Sequence, residues 1–301
     1  MSAQSAGWGR RFYDQPYLML TLASLFWGGN AVASRIAIGQ VSPMALTSLR
    51  WTLTLSVLAV IAREPLRADW PALRPRLAYL IGLGVIGLTA FNAIMYIAAY
   101  TTSGVNLTII QGAIPVFVLI GAYIAYRTPI RPAQAVGVIV TIAGIGIVAS
   151  KGEWATVLGL KFAFGDLLML VACTCYAIYT VALQRRPETS GFGLFAALAV
   201  IAWLTALPLY GVEIATGNSY WPTPTGWAVI VYVAFFPSLL SQLFYMRGIE
   251  LIGPGRAGIF VNLVPVFGSA LSVLVLGEPF GWYQATALLL VLGGIAWSQR
   301  R

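Results

Sequence analysis

The stretch Ile109-Ile110-Gln111-Gly112-Ala113-Ile114-Pro115-Val116-Phe117 decides the fold, because it returns 150 positions later as Ile259-Phe260-Val261-Asn262-Leu263-Val264-Pro265-Val266-Phe267. The register holds without a gap as far as Ile145 and Ile295: Pro129 meets Pro279, Gln134-Ala135 meets Gln284-Ala285, and Gly144-Ile145 meets Gly294-Ile295. That makes nine identities in 37 aligned positions. Roughly three are expected by chance for apolar sequence, so the register marks an internal repeat. Each copy reads as an apolar helix with a central proline, a Pro-marked turn and a second apolar, Gly-rich helix. A duplicated hydrophobic unit with broken helices points to transport before it points to catalysis.

Composition sets the class. Of 301 residues, 59% are hydrophobic and 9% charged, and the mean hydropathy is +0.84. Soluble proteins carry roughly a quarter charged residues, so this surface faces lipid. There is no histidine, and the two cysteines are Cys173 and Cys175. That removes His-based acid–base catalysis, a Ser-His-Asp triad and nearly all zinc sites. No cofactor is implied. The net charge of +9 could speak for nucleic acid, but the basic residues sit between apolar runs rather than on one patch. They belong to a membrane protein, and no nucleic-acid partner is expected.

Apolar runs near the ~20 residues that cross hydrocarbon fall at about 17–38, 43–62, 77–100, 104–126 and 131–149, then 163–184, 191–210, 225–247, 255–276 and 281–299. The links at 63–76, 150–162 and 211–224 are longer than the rest. This divides the chain into a tail (1–16), a first repeat (17–149), a linker (150–162) and a second repeat (163–299). Arg10-Arg11 before an apolar run admits a twin-arginine export signal. The lack of a small-residue cleavage site and the nine runs that follow favour a retained first span.

Lys and Arg give the orientation. With the N-terminus inside, Arg10, Arg11, Arg63, Arg67, Arg74, Arg76, Arg127, Arg131, Arg185, Arg186, Arg247, Arg256, Arg300 and Arg301 fall inside, and only Lys151 and Lys161 outside. Arg35 and Arg50 lie within spans and complete the 18. Both termini are therefore expected in the cytoplasm. Five spans per half invert the second half relative to the first, the arrangement from which alternating access follows. The expected fold is an all-α integral membrane protein: ten transmembrane helices as two inverted five-helix repeats around a central cavity.

These residues also carry a resemblance. Phe26-Trp27-Gly28-Gly29-Asn30, Arg50, Ala113-Ile114-Pro115-Val116-Phe117, Leu263-Val264-Pro265-Val266-Phe267, Gly277-Glu278-Pro279 and Gly293-Gly294, in this order over the whole chain, resemble the drug/metabolite transporter superfamily, and within it the ten-span EamA-type exporters. The chain is most similar to the YddG-type exporters of aromatic and other amino acids. The resemblance implies a bacterial-type inner membrane and export from the cytoplasm. The chain departs from the pattern at Arg127-Thr128-Pro129, which stands where the second half has Gly277-Glu278-Pro279. The four-span members of the superfamily have an essential glutamate in their first span, and here that span has no acid.

Transporters bind substrate near the bilayer midplane between repeats, and polar side chains there are candidates by default. Trp27 and Asn30 share a helix face, and a shift of 149 brings Tyr176 and Tyr179 to the same places. Asn92 and Tyr96 share another, and a shift of 150 brings Gln242 beside Asn92, with Tyr245 nearby. Gln111 and Asn262 precede the two prolines. Amides and tyrosine hydroxyls suit an α-carboxylate and α-amine, and Trp and Tyr faces suit a ring or an ammonium. The same residues can equally serve interhelical packing. Pro115 and Pro265 read either as fixed kinks or as gating hinges, and their duplicated placement favours hinges.

Two G-x-G-x-x-G matches, from Gly82 and from Gly253, lack the strand context of a nucleotide fold. Asn106-Leu107-Thr108 matches a glycosylation sequon but abuts a span. Cys173 and Cys175 read as small packing residues. Arg35 and Arg50 are expected to snorkel to the interface, and a second reading has one of them meeting a substrate carboxylate in the outer vestibule. The function expected is a transporter, not an enzyme, whose partners are amino acids or similar small organic solutes and the lipid bilayer, with a monomer sufficing. Carriers of phosphorylated metabolites, a membrane-embedded enzyme and a scaffold stand as alternatives. For energy coupling, proton exchange and facilitated diffusion stand side by side.

Overall fold

The computed structural model describes residues 14–153 and 162–299. Arg10, Arg11, Lys161, Arg300 and Arg301, most of the expected tail and much of the 150–162 linker lie outside the described residues. Among the described residues there are ten long helices and no strand. They are α1 (Pro16–Ile36), α2 (Pro43–Ile61), α3 (Arg63–Ala98), α4 (Gly104–Tyr126), α5 (Pro132–Ala149), α6 (Phe164–Ala182), α7 (Gly191–Ala215), α8 (Pro224–Ile252), α9, in two pieces (Pro254–Val261 and Val264–Leu276), and α10 (Trp282–Ser298). Eight are long and apolar enough to cross a bilayer on length and composition. Of the other two, α10 has 17 residues, and α1 carries Ser24, Asn30, Ser34 and Arg35 among its apolar side chains.

Local chemistry sets the ends. Pro16, Pro43, Pro132 and Pro224 open helices in the first turn, where a missing N–H costs nothing. Ser103, Ser190 and Thr223 cap α4, α7 and α8 by accepting from the N–H three residues on. Two of the longer links are helical in whole or in part. Residues 63–76 begin α3, because Leu66 and Leu73 give that segment an apolar face to pack, and α7 runs on to Ala215.

The repeat governs the irregularities as well. The first helix of α4, Gly104–Gln111, ends before Ile114–Tyr126 begins, and α9 breaks 150 positions later, between Val261 and Val264. This corrects the reading of central prolines: Pro115 and Pro265 sit in the first turn of each second piece, not inside a continuous helix. The interruption itself is Gly112-Ala113 and Asn262-Leu263. At the same repeat position after each break, Arg127 (φ 55°) and Gly277 (φ 65°) close the helix in the left-handed region.

A second matched pair of irregularities was not expected. Val85–Ala90 in α3 and Ala234–Leu240 in α8 are π-helical turns whose last residues lie 150 positions apart. Such turns are rare and concentrate at functional sites. In α8 the cause is Pro237, which has no N–H to offer the Val233 carbonyl four residues back. Ser238 Oγ donates to that carbonyl instead, at 2.6 Å.

Contacts across the two halves answer one another: α2 packs on α7 and α5 on α10, each pair matched by the repeat. Packing of α1 against α8 and α9 in one half answers packing of α6 against α3 and α4 in the other. At α5–α10 the backbones meet: a methyl added at Gly294 would overlap Thr141 and the Gly137 carbonyl, and one at Gly137 the Gly294 carbonyl. Small residues allow such approach where lipid gives no hydrophobic drive. A Cβ at neighbouring Gly293 would meet nothing within 4 Å. Gly294→Leu is therefore expected to cost roughly 1–3 kcal/mol by overpacking, read as a lowered thermal midpoint of the detergent-purified protein. Gly293→Leu should leave the midpoint in place, and equal losses in both would contradict this packing.

Candidate functional site

At mid-bundle the expected residues form two groups that touch. The first is aromatic. Trp27 of α1 lies edge-on to Tyr245 of α8, with ring centres 5.3 Å apart. Tyr176 and Tyr179 of α6 are 5.5 Å apart, and Phe91 of α3 lies 5.0 Å from Tyr176. Trp27, Tyr176, Tyr179 and Tyr245 are each partly buried.

The second group is polar and buried. Its centre is Arg50 of α2, 5% exposed. Arg50 Nε donates to Ser238 Oγ, and Nη1 donates to Asn92 Oδ1 and, at 2.6 Å, to Tyr96 Oη. Tyr96 Oη donates on to Asn30 Oδ1 at 3.3 Å. Asn92 Nδ2 donates to the Leu88 carbonyl at 2.6 Å, inside the α3 π turn. Each π turn thus aims one acceptor, Asn92 Oδ1 or Ser238 Oγ, at the same guanidinium. The face of Trp51 lies 5.5 Å from Arg50 Cζ.

This corrects the snorkelling expectation for Arg50. It starts seven residues into α2, about 10 Å along the helix at ~1.5 Å per residue, too deep for its side chain to regain water, and it turns inward. Arg35 does reach the end of the bundle, where its Nε pairs with Glu278 at 3.2 Å. Glu278 also accepts from Gly104 N at 2.9 Å and Val105 N at 3.0 Å, so one carboxylate ties α1, the α4 N-terminus and the α9–α10 turn together. Beside it, Thr108 Oγ1 of α4 lies 3.2 Å from Ser269 Oγ of α9.

The remaining candidates fall apart from this core. Gln111 ends the first piece of α4 with its Oε1 buried and unpartnered among the described residues. Asn262 sits in the α9 break and Gln242 on α8, both partly buried and without a side-chain hydrogen bond among the described residues. The pairing of Asn92 with Gln242 therefore does not carry over to contacts; Ser238, one turn earlier, takes that place. Asn106 is buried and turned to Asp166 at 3.4 Å, which removes the sequon reading. Asp166, the third residue of α6, is fully buried and also accepts from Thr102 Oγ1.

Two clefts flank the core. One, of about 810 Å³, lies at the Arg35 end among Ile38, Pro43, Tyr100, Phe164, Glu213 and Tyr220. The other, of about 600 Å³, opens at the opposite end between Arg131 and Arg256 and runs between α4, α5, α9 and α10 to Pro115.

Comparison with known proteins matches residues 15–150 and 163–299 to the model of the EamA-like transporter family. The uncharacterized transporter YyaM of Bacillus subtilis (strain 168) is 30% identical over 93% of this chain and 92% of its own. The threonine/homoserine exporter RhtA of Escherichia coli (strain K12) is 24% identical over 93% of this chain and 88% of its own. A crystal structure at 23% identity covers 94% of this chain and 97% of its own with a TM-score of 0.62, which shows the same fold.

Glu278 is largely buried and makes three charge-assisted bonds, so Glu278→Gln should cost roughly 1–3 kcal/mol, seen as a lowered thermal midpoint. Exposed Glu250, paired with Arg247, should give a Gln variant close to wild type. A Glu278→Gln variant as stable as the Glu250→Gln one would contradict the role of this carboxylate as a tie.

Proposed function

Because the chain belongs to the EamA-like transporter family, we propose that it exports amino acids, aromatic and other neutral ones, by alternating access with gating at the breaks in α4 and α9. The observation that carries this reading is an asymmetry between parts related by the repeat. The first piece of α4 packs on the second piece of α9 at the Arg35–Glu278 end. At the other end the second piece of α4 and the first piece of α9 have no comparable packing among the described residues, and the 600 Å³ cleft lies between them. Exchanging these two arrangements between the halves would close one end and open the other. The Lys/Arg distribution supports an open end that faces the cytoplasm with both termini inside, and the resemblance supports a bacterial-type inner membrane.

The aromatic group, the amides and the tyrosine hydroxyls support a zwitterion with an apolar side chain; threonine and homoserine, named for a relative, are zwitterions with a hydroxyl on the side chain. The test is counterflow of labelled amino acids in liposomes containing the purified protein, with and without a pH gradient. Exchange of phenylalanine, threonine or homoserine is expected, and indifference to every amino acid tried would overturn the reading. Pro115→Ala and Pro265→Ala let the helix run on through each break, and both should slow counterflow about tenfold or more. Wild-type rates in both would remove the breaks from the gate.

A further inference from the structure

Among the described residues, two charged side chains are buried, Arg50 and Asp166. The acids of the bundle have their donors. Glu278 is satisfied by Arg35 and two backbone N–H groups, Glu213 by Ser42 Oγ and the N–H groups of Met44 and Ala45, and Asp166 by Thr102 and Asn106. Arg50 is different. It forms no ion pair among the described residues, and its partners are neutral oxygens. Its Nη2, with two N–H groups, has no hydrogen-bond partner there. A guanidinium buried in this way, without counter-charge and with donors unspent, is costly in a membrane interior unless an anion visits it.

Its surroundings say what the anion is attached to. On two helices the polar and aromatic groups lie within one turn of each other, Asn30 and Trp27 on α1 and Asn92 and Phe91 on α3. Pro237 O accepts from Trp27 Nε1 at 3.1 Å, and Ser238, the next residue, accepts from Arg50. The residues that hold the cation are therefore neighbours of the aromatic group: Asn92 follows Phe91, and Ser238 follows the residue whose carbonyl Trp27 binds.

We propose that Arg50 is the carboxylate-binding residue of the transport site, so that the protein selects substrates by a carboxylate held at Arg50 Nη2 and an apolar body held among Trp27, Phe91 and Tyr176. This rests on the transport reading above. Tyr96, whose present bond to Asn30 is long at 3.3 Å, can turn its O–H to the second carboxylate oxygen. That frees Asn30 Oδ1 to accept from a substrate ammonium. Ser238 and Asn92, fixed by their own bonds to the Val233 and Leu88 carbonyls, hold the guanidinium plane for that fork.

The test uses the full-length protein in liposomes, with four competitors in counterflow: phenylalanine, 3-phenylpropionate, phenethylamine and phenylalaninamide. Binding is followed in parallel by thermal stabilisation in detergent. Wild type should prefer the two carboxylates over the two amines, and Arg50→Gln should raise the half-saturating concentration of carboxylates by about ten- to a hundredfold and erase the preference. Asn92→Asp supplies an internal carboxylate to Arg50. It should raise the thermal midpoint while abolishing carboxylate binding, and it remains informative if Arg50→Gln does not fold.

An Arg50→Gln protein that loses all four ligands in equal proportion, or an Asn92→Asp protein with wild-type carboxylate affinity, would reduce Arg50 to a packing role. Transport of phenethylamine but not the carboxylates would overturn this inference and leave the transporter standing. Transport of phenylpropionate without any amino acid would do the reverse, sparing Arg50 and refuting the amino-acid reading. No response to any of the four would refute this inference, and the amino-acid reading falls with it when threonine and homoserine are also without effect.

Discussion

Inside hydrocarbon every backbone N–H and C=O has to find its partner within the protein, and the architecture follows from where this chain breaks that rule and how it repairs the breach. Straight helices need no help. The π turns of α3 and α8 do, and the side chains that mend them are Asn92 on the Leu88 carbonyl and Ser238 on the Val233 carbonyl, with Trp27 on the Pro237 carbonyl. These repairs fix rotamers that would otherwise wander, and they leave oxygens pointing at Arg50. Backbone irregularity and chemistry are thus the same feature seen from two sides. Loss of the proline in α8 would mend the helix and release the serine that positions the guanidinium.

Duplication supplies the frame, and departures from it supply direction. The breaks in α4 and α9, the π turns and the glycine contacts of α5 and α10 all obey the 150-residue register. The turn after each broken helix does not: Gly277-Glu278-Pro279 has an acid and Arg127-Thr128-Pro129 has none. The consequence is physical. Glu278 gathers Arg35 and the α4 N-terminus, where the exposed N–H groups and the helix dipole favour a negative charge. Its counterpart at the other end is Thr128, which carries no charge and cannot bind the N-terminus of α9 in that way. At one end α4 and α9 are tied together and at the other a cleft lies between them, although the two are built from related sequence.

Much of this was legible in the chain. The repeat register located both breaks because prolines and glycines punctuate sequence directly, and hydropathy gave helices long enough to count. The π turns were not legible, since one extra residue in an apolar run changes no periodicity that a reader can detect; Pro237 followed by Ser238 was the trace they left. Trp27, Asn30, Asn92, Tyr96, Tyr176 and Tyr245 were reachable from mid-span position alone. Gln242 and Asn262 followed from the same rule, yet the structure joins them to nothing in the core. Arg50 was misread because its partners come from α3 and α8, and only tertiary packing tells an arginine that snorkels from one that is enclosed. Its depth in α2, beyond the reach of its own side chain, was the signal available.

The claim that the two ends open in turn is tested most directly by locking the closed one. Thr108 and Ser269 face each other across α4 and α9, with their oxygens 3.2 Å apart. A cysteine at each place, in a protein with Cys173 and Cys175 replaced, can be joined by oxidation and released by reduction. The account predicts that joining them stops counterflow and that reduction restores it. Continued exchange through fully cross-linked protein would contradict it.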